Sequence, residues 1–144
     1  MATRVQVVFD CADPDRVAHF WATALGYVFQ DPPEGFDTWD AFLESIGIPE
    51  DRRNDASAVV DPEGIGPRIY FQRVPEPKTL KNRVHLDINV SGGREVTLEE
   101  RKRRVADEAQ RLTAAGATRV REQESGDEYH VTMLDVEGNE FDLQ

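Results

Sequence analysis

Cysteine, long apolar runs and basic residues are all scarce in this sequence, and each scarcity excludes a class of protein. The only cysteine is Cys11, which excludes an intramolecular disulfide and a cysteine-rich zinc site. No apolar stretch approaches the roughly 20 residues that span a bilayer. Lys and Arg number 17 against 28 Asp and Glu, a net charge of −11, so nucleic acids and anionic membranes are excluded as partners.

The remaining composition is that of one globular domain. The chain has 144 residues, of which 39% are hydrophobic and 31% charged, and this length is sufficient for one core. The N-terminus has no basic region followed by an apolar stretch, so we expect no signal peptide and a cytoplasmic location. No glycine-rich nucleotide motif is present, and no organic cofactor is expected.

Hydrophobic periodicity predicts the same order of elements twice, namely strand, helix and three strands. The opening strands are predicted over 3–10 and 83–90, where apolar and polar residues alternate. The helices are predicted over 14–25 and 98–115, where apolar residues recur every three or four positions. The acidic segment 31–54 is predicted to be an insertion whose aromatic residues form either a satellite core or a lid.

The two halves also resemble each other in detail, which indicates an internal duplication. A glycine follows each helix, at Gly26 and Gly116, and related turns occur at 61–64 and 135–138. We therefore predict a single domain, 1–144, built from a first module at about 1–76 and a second at about 80–144. A four-stranded sheet with one helix leaves its other face open, and two such sheets would enclose a cup.

Three stretches resemble the vicinal oxygen chelate superfamily, which includes glyoxalase I, the fosfomycin and bleomycin resistance proteins and the extradiol dioxygenases. They are 13–21 with Leu25-Gly26, His85-Leu86-Asp87, and the turn 135–139. The resemblance covers essentially the whole chain. It implies an α+β fold of two paired βαβββ modules that form a curved-sheet cup, the glyoxalase/bleomycin resistance/dihydroxybiphenyl dioxygenase fold, and a homodimer.

The resemblance also implies a divalent metal held by the first and last strands of each module. Those positions fall on Gln6, His85 and Asp142, and the fourth falls on Gln72 or Tyr70, with Gln72 favoured by its side-chain chemistry. Gln6, His85 and Asp142 each alternate with apolar neighbours, which predicts that they share the polar face of their strands. Family sites consist mostly of His and Glu, whereas only His85 is a strong donor here. Two alternatives therefore remain: a site that binds Zn²⁺, Ni²⁺, Mn²⁺ or Fe²⁺, and a polar cup without a metal.

Two functions follow from the resemblance, and both have a small molecule as partner. The first is a metal-dependent enzyme of isomerase, lyase or dioxygenase type, in which Asp142 is a metal ligand or the general base. The alternative is a metal-free binding protein of the bleomycin-resistance type, whose acidic surface would attract a cationic compound. A sensor or interaction module that keeps the fold without chemistry is a third hypothesis.

Overall fold

The computed structural model describes residues 1–144 and divides them into two compact units, Met1–Pro77 and Lys78–Gln144. Each unit contains one four-stranded sheet, and each begins with a strand and a helix before its other three strands. This arrangement confirms the predicted α+β class and the repeated order of elements. None of the helices has the length and apolar character needed to cross a membrane.

The sheet of the first unit has the order β1-β4-β3-β2, with β1 parallel to β4 and the other neighbours antiparallel. Its elements are β1 Val7–Cys11, α1 Pro14–Leu25, β2 Val28–Phe29, α2 Trp39–Ser45, a short 3₁₀ helix Glu50–Arg52, β3 Ala56–Val60 and β4 Ile69–Arg73.

Helix α1 forms where its sequence favours it, and it covers one face of this sheet. The Asp13 carboxylate accepts from the Arg16 backbone N–H, and Pro14 occupies the first turn. Gly26 ends the helix in the left-handed conformation, with φ of 69°. The Trp21 ring is fully buried and lies 5.0 Å from the ring of Phe9 on β1. The helix therefore packs on the β1 face that carries Phe9.

The sheet of the second unit has the corresponding order, β5-β8-β7-β6, and its first strand is again parallel to its last. Its elements are β5 Leu86–Ile88, α3 Leu98–Ala114, β6 Thr118–Ser125, β7 Glu128–Leu134 and β8 Glu140–Leu143. The repeated strand order and the repeated parallel pair support an internal duplication.

Alternation along β7 and β8 separates an apolar face from a polar one. The residues of the apolar face are completely buried, and so are two residues on the inner side of α3. On the strands they are Val131, Met133, Phe141 and Leu143, and on the helix they are Val105 and Leu112. Thr132 and Asp142 alternate with these residues and form a cross-strand pair on the opposite face. The fold therefore places Asp142 on the sheet face that α3 does not cover.

Both opening strands are shorter than predicted. They begin at Val7 and Leu86, and Val5 and Val84, expected on the apolar face, are 72% and 79% exposed. The β1 ladder starts where the Val7 N–H donates to the Arg68 carbonyl. The predicted burial was therefore correct for the residues that pair in the sheet and wrong for Val5 and Val84, which precede the paired residues.

Candidate metal centre

His85, Asp87 and Asp142 form a cluster on one face of the second unit. One ligand atom from each, an imidazole nitrogen or a carboxylate oxygen, lies within 4.8 Å of the others. His85 immediately precedes β5, Asp87 lies within that strand, and Asp142 is its Cα partner on β8. Two of the four predicted ligands, His85 and Asp142, therefore lie together in the second unit.

Hydrogen bonds orient the donors of this cluster. Nδ1 of His85 lies 2.8 Å from Oδ1 of Asp87, and both side chains are 40% exposed. Asp142 is more enclosed, at 18% exposure, and its Oδ1 accepts from the Thr132 hydroxyl at 2.6 Å. The second Asp142 oxygen lies 3.9 Å from Nε2 of His130. Oδ2 of Asp142 therefore has no close partner and is available to a ligand.

The chain that leads into His85 is tied to β8 by Glu140. The Glu140 carboxylate accepts from the Asn82 backbone N–H at 2.9 Å and lies 3.4 Å from Nζ of Lys78. Burial raises the pKa of Glu140, but the Asn82 hydrogen bond and the Lys78 charge outweigh it and hold that pKa below its usual value. The ionised form of Glu140 therefore holds the segment before His85 against the strand that carries Asp142.

Asp87 and His130 join this region although neither was predicted as a ligand. The signal for Asp87 was available, because residues two apart on a strand share a face and His85 precedes it by two. His130 lies two residues before Thr132 on β7, and Thr132 pairs with Asp142. Strand alternation predicts Asp87 on the same polar face as His85, and the pairing of β7 with β8 adds His130 to the Asp142 face.

Gln6 and Gln72 lie in the first unit, and the structure does not bring these two together. Gln72 on β4 is the Cα partner of Asp10 on the parallel strand β1. Because Asp10 lies four residues beyond Gln6, Gln72 is displaced from Gln6 by about 13 Å along the strand direction. Each amide has its own partner. Oε1 of Gln6 accepts from Nη1 of Arg68 at 2.7 Å, and Nε2 of Gln72 donates to Asp10 at 2.9 Å. A guanidinium on the Gln6 oxygen disfavours a metal ion there, because the two cations repel each other.

The strand registers favour Tyr70 over Gln72 as the counterpart of Asp142. His85 lies two residues before Asp87, which pairs with Asp142. Gln6 lies two residues before Val8, which pairs with Tyr70. If Gln6 corresponds to His85 in the duplication, Tyr70 corresponds to Asp142.

The first unit also contains a cavity of about 730 Å³. Its lining comes from the insertion, from β3 and from β4, and it includes Trp39, Leu43, Ala58, Arg68 and Tyr70. Its volume falls in the range of small-molecule sites, which is about 300–1,000 Å³.

Comparison with known proteins identifies one family model, described as a glyoxalase-like domain, that matches residues 6–144. No protein of curated function matches the sequence. Solved structures share the fold. A glyoxalase/bleomycin resistance protein/dioxygenase family enzyme from Burkholderia phytofirmans PsJN is 19% identical, with 96% of this chain and 94% of that chain covered and a TM-score of 0.61.

Two further structures are similar over nearly the whole chain. A mutant of the fosfomycin resistance protein FosX from Listeria monocytogenes, complexed with Mn(II) and 1S,2S-dihydroxypropylphosphonic acid, is 10% identical, covers 100% of this chain and 90% of its own, and has a TM-score of 0.62. TioX from Micromonospora sp. ML1 is 17% identical, with coverages of 99% and 97% and a TM-score of 0.53. At these identities the likeness concerns the fold.

Proposed function

Because the chain belongs to the glyoxalase-like domain family of the vicinal oxygen chelate superfamily, we propose that it is a divalent-metal-dependent enzyme that acts on a small molecule. The proposed ligands are His85 and Asp142, with Asp87 beside them. The observation that carries the proposal is the convergence of their three ligand atoms within 4.8 Å.

The residues present fit a divalent cation. Two carboxylates and one imidazole carry two negative charges when the imidazole is neutral, and no Lys or Arg forms an ion pair with Asp87 or Asp142. Two ligand atoms on one ion at about 2.1 Å lie at most about 4.2 Å apart. The spacing of the cluster, within 4.8 Å, is close to this limit. Imidazole and carboxylate donors suit Zn²⁺, Ni²⁺, Mn²⁺ and Fe²⁺.

A bound metal would supply a Lewis acid that polarises a substrate carbonyl oxygen. If it is displaced from the metal, Asp142 has the geometry of a general base, because Thr132 holds one of its oxygens and the other can then accept a proton. His130 lies 3.9 Å from that oxygen. Proton transfer by Asp142 favours an isomerase or lyase over a dioxygenase.

Paramagnetic relaxation by Mn²⁺ tests the location of the site. We expect sub-stoichiometric Mn²⁺ to broaden the amide signals of Leu86–Ile88 and Glu140–Leu143 before those of α3, which covers the other face. Broadening that starts instead in the acidic segment 31–54 would show that the ion binds exposed carboxylates and that this metal centre does not exist.

The second candidate is a metal-free small-molecule binding protein of the bleomycin-resistance type. The cavity of the first unit favours it, because that cavity has aromatic walls and the amide of Gln6 is engaged by a cation. Binding of a small molecule to the metal-stripped protein, with no conversion when metal is restored, would select this candidate over the enzyme. The homodimer and the cytoplasmic location remain predictions under both candidates.

A further inference from the structure

The cavity of the first unit combines flat apolar walls with a cation. The indole N–H of Trp39 donates to the Gln30 carbonyl at 2.7 Å, and the Trp39 ring packs edge-on against Phe42, 5.9 Å away. These contacts fix the indole, yet Trp39 remains 37% exposed. Tyr70 contributes a second aromatic ring from β4. Two aromatic rings with Ala58 and Leu43 form a surface suited to a planar apolar molecule.

Arg68 is held in this cavity by neutral groups alone. Its Nε donates to Oε1 of Gln30 at 2.6 Å, and its Nη1 donates to Oε1 of Gln6 at 2.7 Å. Its guanidinium carbon lies 5.2 Å from the centre of the Tyr70 ring. The side chain is half-buried, and no carboxylate forms an ion pair with it. These contacts orient the guanidinium and leave its Nη2 donors for a ligand.

Arg68 has no carboxylate partner, although the net charge of the chain is −11 and acidic residues are plentiful. Arg52, which lines the same cavity, is neutralised, since its Nε donates to Asp55 at 2.9 Å, whereas Arg53 donates only to the Ile48 carbonyl at 3.4 Å. The Gln6 and Gln30 amides orient Arg68 without neutralising it. A cation that is positioned but not neutralised is a binding element for an anion.

We propose that this cavity binds an organic carboxylate with a flat apolar body, with the carboxylate on Arg68 and the body against Trp39 and Tyr70. The exposed acids at the cavity, Asp15, Asp40 and Glu50, disfavour multiply charged ligands such as phosphate esters. The proposal goes beyond the metal cluster of His85, Asp87 and Asp142, because every residue it uses lies in the first unit. Two of them, Gln6 and Tyr70, were candidate ligands by resemblance, but Arg68 already occupies the Gln6 oxygen and lies over the Tyr70 ring.

Calorimetric titration of the EDTA-treated protein with 2-naphthoate tests this proposal. We expect saturable binding of one molecule per chain, with quenching of Trp39 fluorescence that Trp39→Phe removes. Arg68→Met should weaken binding about 10- to 100-fold, since it removes a charge-assisted hydrogen bond. Arg52→Gln is the matched control, because Arg52 lines the cavity but is already paired, and it should change the affinity less than about 3-fold.

The neutral analogue 2-naphthalenemethanol isolates the contribution of the anion. It should bind the parent protein about 10- to 100-fold more weakly than 2-naphthoate. Equal binding of the two compounds, no binding of 2-naphthoate, or undiminished binding by Arg68→Met would each overturn the proposal. If Arg68→Met fails to fold, Arg68→Lys and the comparison of the two compounds on the parent protein decide. Because the protein is metal-free throughout, failure of the metal proposal leaves these results unchanged.

Discussion

Nδ1 of His85 lies 2.8 Å from Oδ1 of Asp87, its neighbour two residues along the chain. An ionised carboxylate only accepts hydrogen bonds, so Nδ1 carries the proton in this contact. In the neutral imidazole, the other ring nitrogen, Nε2, then carries the lone pair that a metal ion needs. Carboxylates that fix a ligating histidine in this way orient its ring and strengthen it as a donor.

Changing Asp87 to Ala should therefore weaken metal binding about 10- to 100-fold through the loss of this orientation. Stability should change by less than about 0.5 kcal/mol, because both side chains are 40% exposed. Competition with a chromophoric chelator measures the affinity, and urea unfolding measures the stability. Asp87→Asn, which keeps a hydrogen-bonding oxygen, should recover part of the affinity. An unchanged affinity in Asp87→Ala would exclude the orienting role.

Trp21 anchors α1 on the first sheet, and its replacement by Ala should cost about 3–5 kcal/mol in the free energy of unfolding. The ring is fully buried and contacts Phe9 and Phe20 at ring separations of 5.0 and 5.6 Å. Trp39→Phe is the control, since Trp39 is 37% exposed and loses one hydrogen bond worth about 1 kcal/mol. Urea unfolding compares the two variants, and a loss below about 1 kcal/mol for Trp21→Ala would contradict this packing.

Glu140 should contribute to stability only where it is ionised. Its pKa in the folded protein is below the ordinary value of 4.5, so its contribution is complete above about pH 4.5 and is lost as the pH falls through the lowered pKa. The stability difference between the parent and Glu140→Gln should therefore be constant from about pH 7 to about pH 5 and shrink below that range. Urea unfolding at each pH measures it, with the exposed Glu95→Gln as control. A difference that grows on acidification would show that this sign is wrong.

Alternation and motif order were sufficient to predict much of the second unit. The pattern around His85 and around Asp142 placed both side chains on the polar face, and the structure brings them together. The strand starts were less predictable, because Val5 and Val84 have strand-like sequence but lie before the first ladder pairs. Hydrophobic periodicity predicts which side chains a strand buries once it is paired. Whether a residue is paired depends on another strand that is distant in the sequence.

The role of Arg68 was invisible in the sequence for the same physical reason. Its acceptors Gln6 and Gln30 are 62 and 38 residues away along the chain. No local pattern distinguishes an arginine held by two amides from one paired with a carboxylate. The pairing of β1 with β4 brings Gln6 to Arg68, and the same register favours Tyr70 over Gln72 as the counterpart of Asp142.

Titration calorimetry of Zn²⁺, Ni²⁺ and Mn²⁺ into the metal-stripped protein tests the central claim most directly. The parent and His19→Ala should bind one ion per chain with equal affinity, because His19 lies on α1 and bonds to the Asp15 carbonyl outside the cluster. His85→Ala should lose binding by about 100-fold or more, because it removes the imidazole donor. If His85→Ala binds these ions as tightly as the parent and His19→Ala, the cluster of His85, Asp87 and Asp142 is not a metal centre.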